Sequence, residues 1–496
     1  MVAGFMDAPT PSRRTRIIAE ARQHLSSMQV AEAERALEPL LKKAKPDAEA
    51  LFLMGVIHER RRRLAQAMEC AKRSVALHEH PEPLLLLARC HRMVGETEDA
   101  LQCCDRALAM RPGLLGALVI KGAALEEAGR YDEARRVIEP LVDGAAGRGL
   151  DPQVRHEWAK LLVHDKRLDE AVKVLSSPAG EQTEELRRLD LHLLAKARDR
   201  QGEHAGAVEA ARGANAIGEL AFDPDIYESQ VSTLIENWSK EAMAKFPLST
   251  CKSELPVFVA GMPRSGTSLI DQIIDAHPKA AGVGELATIE RFAAELSMAW
   301  DPDKEPPACF GAYDARRWTR TAEQYVREVR RLAPRGAERV VNKALGNNKL
   351  VGLIARLFPN TRIIHAIRDP RDVAVSCYMG GFNHALHPWT TRFEWISRAW
   401  VESMRMMEHW KASLDVPILD VHYERLVTDP DREFPRIIEF LGLEWDDACR
   451  RFHESRRTVR TLSYDQVNRP LYTSSVGRWE RYASFMDGVE FPAYEV

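Results

Sequence analysis

Val257-Phe-Val-Ala-Gly261-Met-Pro-Arg-Ser-Gly266-Thr-Ser268 is the stretch on which the fold turns. A short β-rich run passes through two glycines into Leu269 to Ala276, whose apolar residues recur at helical spacing. The first amides of a helix lack intrahelical partners and carry the positive end of its dipole. Strand, glycine loop and helix start therefore make an anion site. Further β-rich runs follow at Arg339-Val-Val341, Arg362-Ile-Ile-His-Ala-Ile367 and Ile418-Leu-Asp-Val421, with helical stretches between them. That alternation specifies an α/β region with a parallel sheet and crossover helices. Such sheets bind ligands at the carboxyl ends of their strands, which is where function should lie.

Gly261 and Gly266 have the spacing of a P-loop, in which lysine and then serine or threonine come next. Thr267 stands in the lysine place. That lysine serves the β- and γ-phosphates of a triphosphate, with Mg²⁺ on the following hydroxyl. A donor with a single 5′-phosphate needs neither. Amides and hydroxyls of Ser265, Gly266, Thr267 and Ser268 suffice to hold it, with Arg264 adding charge. A nucleoside or sugar kinase is the rival reading of this loop, and Thr267 opposes it.

Upstream, residues 14–217 read as amphipathic helices. Small residues recur in pairs twelve apart: Ala21 and Ala33, Gly55 and Ala67, Ala88 and Ala100, Gly122 and Ala134, Ala159 and Ala171, Ala195 and Ala207. Successive pairs begin 34, 33, 34, 37 and 36 residues apart, the period of stacked helix–turn–helix units. Two helices approach closely only where side chains are small. Gly95-Glu96, Gly129-Arg-Tyr-Asp132 and Gly202-Glu203 supply turns between paired positions, and Pro112 terminates a helix. This half resembles tetratricopeptide repeats, about six units of them, and the resemblance implies an all-α solenoid able to bind a protein or peptide partner. The pattern stops near residue 218. Tyr227 to Phe246 reads as one linking helix, so the expected domains are 14–217, a linker over 218–252, and an α/β domain over 253–496.

A second block reinforces the first. The run ending at Ile367 enters Arg368-Asp-Pro-Arg-Asp-Val-Ala-Val-Ser376. An arginine fork suits a phosphate, and a helix beginning at Pro370 brings Ser376 to the same edge. Pro263-Arg-Ser-Gly-Thr-Ser268 resembles the 5′-phosphosulfate loop of sulfotransferases. Asp275-Ala-His-Pro278 with Gly284-Glu285 is similar to the protein-tyrosine sulfotransferase branch and to bacterial sulfotransferases bearing tetratricopeptide repeats. The likeness covers most of residues 255 to 480. It implies a P-loop-like parallel-sheet sulfotransferase domain using 3′-phosphoadenosine 5′-phosphosulfate as co-substrate. It also implies that Arg368 and Ser376 hold the donor's 3′-phosphate. Tyr423, in Val421-His-Tyr-Glu-Arg-Leu426, is implied to lie near the nucleotide, and Ser463 to approach the phosphosulfate. Arg478-Trp479 matches a basic-aromatic pair over the 3′-phosphate, where the family usually has lysine.

In-line sulfuryl transfer needs a base at the acceptor and cations at the departing oxygen. Glu285 is the expected base, reached through Ala280 to Gly284, a flexible stretch returning the chain to the sheet edge. The tyrosine-modifying enzymes have two adjacent acids there, whereas Leu286 follows here. Lys343, in Val341-Asn-Lys-Ala344, is the expected leaving-group cation, joined by Arg264; Ala344 replaces the family's usual aspartate. His384 and His387 are a second choice of base, set lower because loop histidines are commonly solvated. Trp389, Trp395 and Trp400 are expected to pack a helix, with Trp389 at its start the one placed to line an acceptor cleft instead.

The 496 residues exceed one ordinary core, and 45% apolar with 29% charged residues is a globular composition. A formal charge of −3 gives no broad affinity for nucleic acid or membrane. Neither a signal-peptide pattern nor a membrane-spanning run is seen, and the eight cysteines are scattered, which together point to the cytoplasm. No His or Cys cluster has ligand spacing, so no metal is expected. The acceptor carries a hydroxyl. A protein tyrosine is the acceptor the resemblance suggests, and a carbohydrate or small metabolite fits as well. A non-catalytic repeat scaffold is the remaining alternative, opposed by the intact loop with Glu285 and Lys343.

Overall fold

The computed structural model describes residues 12–42, 45–143, 149–178, 180–245, 248–300, 314–454 and 470–495. The chain divides into two compact units that meet at Gln182 and Thr183.

Among the described residues the first unit is five helix hairpins. They are α1 (Arg13–Ser26) with α2 (Val30–Leu41), α3 (Ala48–Arg60) with α4 (Leu64–Leu77), and α5 (Pro81–Val94) with α6 (Thr97–Met110). α7 (Leu115–Glu127) with α8 (Tyr131–Asp143) and α9 (Pro152–His164) with α10 (Leu168–Ser176) complete it. A sixth hairpin, α11 (Glu184–Gln201) with α12 (His204–Ala216), continues the period but belongs to the second unit. The repeat-derived boundary at 217 and the packing boundary at 182 therefore differ by one hairpin.

Every paired small residue is fully buried, and Gly55 and Gly122 show why. A Cβ on Gly55 would lie 2.7 Å from Leu86 Cδ2, and one on Gly122 would lie 2.5 Å from Ile138 Cδ1. The six hairpin turns share one left-handed residue: Met28, Arg62, Gly95, Gly129, Lys166 and Gly202, with φ between 58° and 93°. These positions are spaced 34, 33, 34, 37 and 36 apart, the same intervals as the small residues. Three units thus make the turn without glycine, at a cost of about 1 kcal/mol each.

In the second unit the expected single linking helix is broken. α13 (Pro224–Asn237) is capped by Asp223, and α14 (Lys240–Met243) restarts after Ser239, whose hydroxyl accepts from Ala242 N–H. Between them the buried Trp238 indole packs edge-on to Trp410, with centroids 5.8 Å apart, and fixes the break. Phe246, where the expected helix ended, lies outside the described residues.

The sheet contains β1 (Pro256–Gly261), β2 (Ala280–Gly282), β3 (Arg339–Asn342), β4 (Arg362–Ile367) and β5 (Ile418–His422), in the order β2-β3-β1-β4-β5 with every pairing parallel. Helices α15 (Thr267–Asp275), α16 (Thr288–Trp300), α17 (Ala315–Leu332) and α18 (Asn347–Leu357) lie between successive strands as far as β4. After β4 come α19 (Pro370–Tyr378) and α20 (Phe393–Ser413), and after β5 α21 (Tyr423–Thr428) and α22 (Pro430–Phe440). Alternate residues of each strand serve opposite faces. Phe258, Val340 and Ile363 join Trp318, Tyr325, Phe358 and Trp410 on one face. Val257, Val259, Val341 and Ile364 join Ile270, Ile273 and Ile437 on the other.

β2 was not anticipated as a strand. Ala280 to Gly284 has no β-branched residue before Val283, yet it pairs with β3 at the sheet edge. The chain runs from β1 out to β2 and β3 on one side, then to β4 and β5 on the other. The carboxyl end of β1 is therefore the switch point at which such sheets take ligands.

Candidate active site

The glycine loop is held open by contacts that glycine alone permits. Gly261 has φ 139°, and a Cβ there would lie 2.4 Å from Ala366 O on β4. Gly266 has φ 98°, and a Cβ there would meet Tyr423 Cδ2 at 2.8 Å. Arg264 adopts φ 70°, a left-handed backbone that costs a non-glycine residue about 1–2 kcal/mol and marks stored strain. The Ser265 hydroxyl donates to Met262 O at 2.6 Å, and Pro263 O accepts from the Cys377 thiol. Thr267 and Ser268 then open α15, both largely buried, in the first turn that carries the positive end of the helix dipole.

Two arginines meet beside this loop, and the charge of a third reaches them. Arg368, at the end of β4, donates through Nη1 to Arg264 O at 3.0 Å and through Nη2 to Ser475 O at 2.5 Å. Its guanidinium lies 4.4 Å above the Tyr423 ring, and its Nε is buried without a partner. Arg264 Nε donates to Ser376 Oγ at 2.7 Å. Burial, with the neighbouring charges of Arg368 and Arg478 adding to it, pushes the Arg264 guanidinium down to about 10. Arg478 enters from the C-terminal segment. That segment is tied to α19 by Asp372, whose carboxylate accepts from Gly477 N–H and Trp479 N–H, each at 2.9 Å. Arg371 stacks 3.8 Å from the Trp479 ring centre. Burial raises the Asp372 carboxyl above its ordinary range.

Glu285 and Lys343 form a second group. Pairing beyond β2 continues through Val283 N–H to Val341 O at 2.8 Å and Lys343 N–H to Gly284 O at 2.9 Å. Ladder register therefore sets Glu285 beside Lys343, and Lys343 Nζ donates to Glu285 Oε1 at 2.5 Å. The lysine side chain is 1% exposed and the glutamate 36%. Asn342 braces the turn, donating to Leu286 O and Tyr325 Oη while its Oδ1 accepts from Ala344 N–H at 2.8 Å.

The expected 3′-phosphate and loop residues Pro263, Arg264, Ser265, Gly266, Thr267, Ser268, Arg368, Ser376, Tyr423 and Arg478 thus come together at the ends of β1, β4 and β5. Glu285 and Lys343 meet at the end of β3, the next strand, about 5 Å away in sheet spacing. The Arg264 side chain bonds to Ser376; the sequence reading gave it two places, as a charge in the 5′-phosphate loop and with Lys343 at the leaving oxygen. A left-handed Arg264 backbone aims the side chain in a way that no motif reveals. Ser463 lies outside the described residues.

Of the two loop histidines, His384 is buried and His387 is partly buried. His384 is 6% exposed and approaches Gly218 O at 3.4 Å, while His387 sits edge-on to Phe382 and Trp389. Burial lowers both imidazoles, and the Glu285 carboxylate opposes that shift at His387 alone. Trp389 and Trp400 are buried, the latter donating to Arg368 O at 3.1 Å. Asp372, which ties the C-terminal segment to α19, was not singled out from the sequence, although its i,i+4 relation to Arg368 was a usable signal. Among the described residues one grouping, His91, Glu96 and Asp99, has metal-ligand proximity; its carboxylates are exposed and His91 is already bonded to Glu96. No helix among the described residues is long and apolar enough to cross a membrane.

Residues 256–447 match the Sulfotransferase family, and residues 60–141 match the family of Anaphase-promoting complex, cyclosome, subunit 3. An uncharacterized protein of Aquifex aeolicus (strain VF5) is 28% identical over 427 residues, covering 83% of this chain and 54% of that protein. The protein-tyrosine sulfotransferase of Drosophila melanogaster is 26% identical over 247 residues, 46% of this chain and 47% of the enzyme. The chain spans about half the length of these two relatives. The sulfotransferase domain of the Synechococcus PCC 7002 olefin synthase superposes with TM-score 0.35 at 20% identity, over 50% of this chain and 93% of that domain. The C-terminal unit carries a sulfotransferase-family domain homologous to protein-tyrosine sulfotransferases, and a tetratricopeptide-like helical region precedes it.

Proposed function

We propose that the C-terminal unit transfers a sulfuryl group from 3′-phosphoadenosine 5′-phosphosulfate to a hydroxyl acceptor, with tyrosine of a protein or peptide the favoured acceptor. The observation that carries this reading is the contact of Arg264 with Ser376 and of Arg368 with the Arg264 carbonyl, with the Arg478 charge in reach, next to a glycine loop without the triphosphatase lysine. Like charges converge where a polyanion neutralises them, and the partnerless Arg368 Nε is one donor such an anion would satisfy. The loop and the first amides of α15 would hold the 5′-phosphosulfate, and the arginines with Ser376 the 3′-phosphate. Homology to tyrosine sulfotransferases supports the acceptor, and the preceding hairpins offer a surface for a protein partner.

Chemically, the acceptor hydroxyl gives its proton to Glu285 as its oxygen bonds to sulfur. The bond from sulfur to the 5′-phosphate oxygen breaks, and adenosine 3′,5′-bisphosphate leaves with the added negative charge. Lys343, whose ammonium is fixed at the β3 end, is the cation for that charge. His387 lies in the reach of the Glu285 charge and forms an apolar wall with Phe382 and Trp389.

Donor labelled in the sulfuryl group, incubated with tyrosine-containing peptides, tests the reading. Label should pass to peptide in wild type and fall about 100-fold or more in Glu285→Gln. Full activity in that variant removes Glu285 as base. Absence of transfer to any peptide, with transfer to a sugar or small phenol instead, moves the acceptor.

A further inference from the structure

The sixth hairpin has the sequence of a repeat but the packing of a catalytic element. Arg188 on α11 donates to Phe382 O at 2.8 Å, and Asn215 on α12 donates to Tyr378 O at 3.0 Å in a buried contact. Both acceptors lie at or just beyond the end of α19, the helix that carries Ser376. In the last turn of α11, Asp199 accepts from Arg478 Nη2 at 2.8 Å through Oδ2 and from the Tyr482 hydroxyl through Oδ1. His204 at the start of α12 packs edge-on to Tyr482, with centroids 5.2 Å apart.

We infer that Asp199 is a positioning residue for donor binding, holding the Arg478 guanidinium in the anion site from the repeat-like hairpin. The inference rests on the donor reading above. The Arg264 charge opposes that of Arg478, and a long side chain on a surface segment gains rotamer entropy by swinging into water. Asp199 supplies the opposing attraction from outside the cluster. It engages one edge of a five-donor fork, and Tyr482 fixes the carboxylate's orientation by occupying its second oxygen. An arginine so held meets a phosphate without first being ordered, which is how pre-organisation strengthens binding.

The test is calorimetric titration of the full chain with adenosine 3′,5′-bisphosphate, combined with steady-state kinetics. Asp199→Asn should raise the dissociation constant and the donor KM about tenfold, one charge-assisted contact, while kcat at saturating donor stays within about twofold. In an Arg478→Gln background the same substitution should have no further effect, because its action runs through that arginine. An unchanged or tighter constant in Asp199→Asn would overturn the inference, the tighter one showing Asp199 to be a competitor of the phosphate. Equal losses in the presence and absence of Arg478 would reduce Asp199 to a general structural role. Should wild type itself fail to bind the bisphosphate, the donor reading falls and takes this inference with it. Wild-type binding with an unaffected variant sinks the inference alone.

Discussion

Glu285 and Lys343 form one ion pair, but the structure makes their removal unequal. Lys343 is 1% exposed and Glu285 36%. Glu285→Gln leaves a buried ammonium with a neutral partner. Breaking a buried pair costs about 3–5 kcal/mol, and the lower end applies because the glutamine carbonyl still accepts a hydrogen bond. Lys343→Met keeps the stem volume and frees a carboxylate that already reaches water, so its cost should stay within about 1 kcal/mol. Under the proposed mechanism both variants should lose activity, one lacking the proposed base and the other the proposed leaving-group cation. Trp158 is the only one of the ten tryptophans outside residues 183–496, so urea unfolding followed by tryptophan fluorescence reports on this unit. With a slope of about 3 kcal/mol/M, Glu285→Gln should lower the midpoint by about 1 M and Lys343→Met by less than about 0.3 M. If Lys343→Met proves as destabilising as Glu285→Gln, the burial asymmetry does not govern this pair and the reasoning fails.

Lys166→Gly should stabilise the first unit by about 1 kcal/mol, because the turn already holds φ 61° there; an unchanged thermal midpoint would contradict the strain. The His192 imidazole is pushed down to about 3, chiefly by burial, with Arg188 and His384 adding to it. The unfolded chain takes up that proton near pH 6.5 and the folded one does not, so stability is complete above that pH and falls as pH drops toward 3, by about 1.4 kcal/mol per unit. His192→Leu should flatten that acid limb by one proton in a series of melts against pH. A fragment beginning at residue 183 should fold and bind donor product, whereas one beginning at 218 loses the Arg188, Asp199 and Asn215 contacts and should expose its fluorescent core to protease.

Much of this was legible in the sequence because the signals were local. The strand runs at 257, 339, 362 and 418 fell where the sheet has β1, β3, β4 and β5, and the twelve small residues marked the hairpin crossings. Met28, Arg62 and Lys166 hid three of the six turns, since a left-handed turn made without glycine leaves no trace in composition. The hairpin period reports how two helices of one unit pack on each other. It carries no record of which neighbour the unit joins, so Ala195 and Ala207 read like the five pairs before them although α11 and α12 cluster with the second unit. Asp199 and Arg478 are 279 residues apart, and no short motif links them. The loop pattern fixes the place of Arg264 in the chain, while the left-handed backbone there fixes the direction of its side chain, toward Ser376.

Calorimetry with two ligands tests the central claim most directly. Adenosine 3′,5′-bisphosphate should bind without added metal, and Arg368→Ala should weaken it at least tenfold, the loss of a charge-assisted fork worth about 1.5–3 kcal/mol. Tight binding of ATP with magnesium, and none of the bisphosphate, would contradict it.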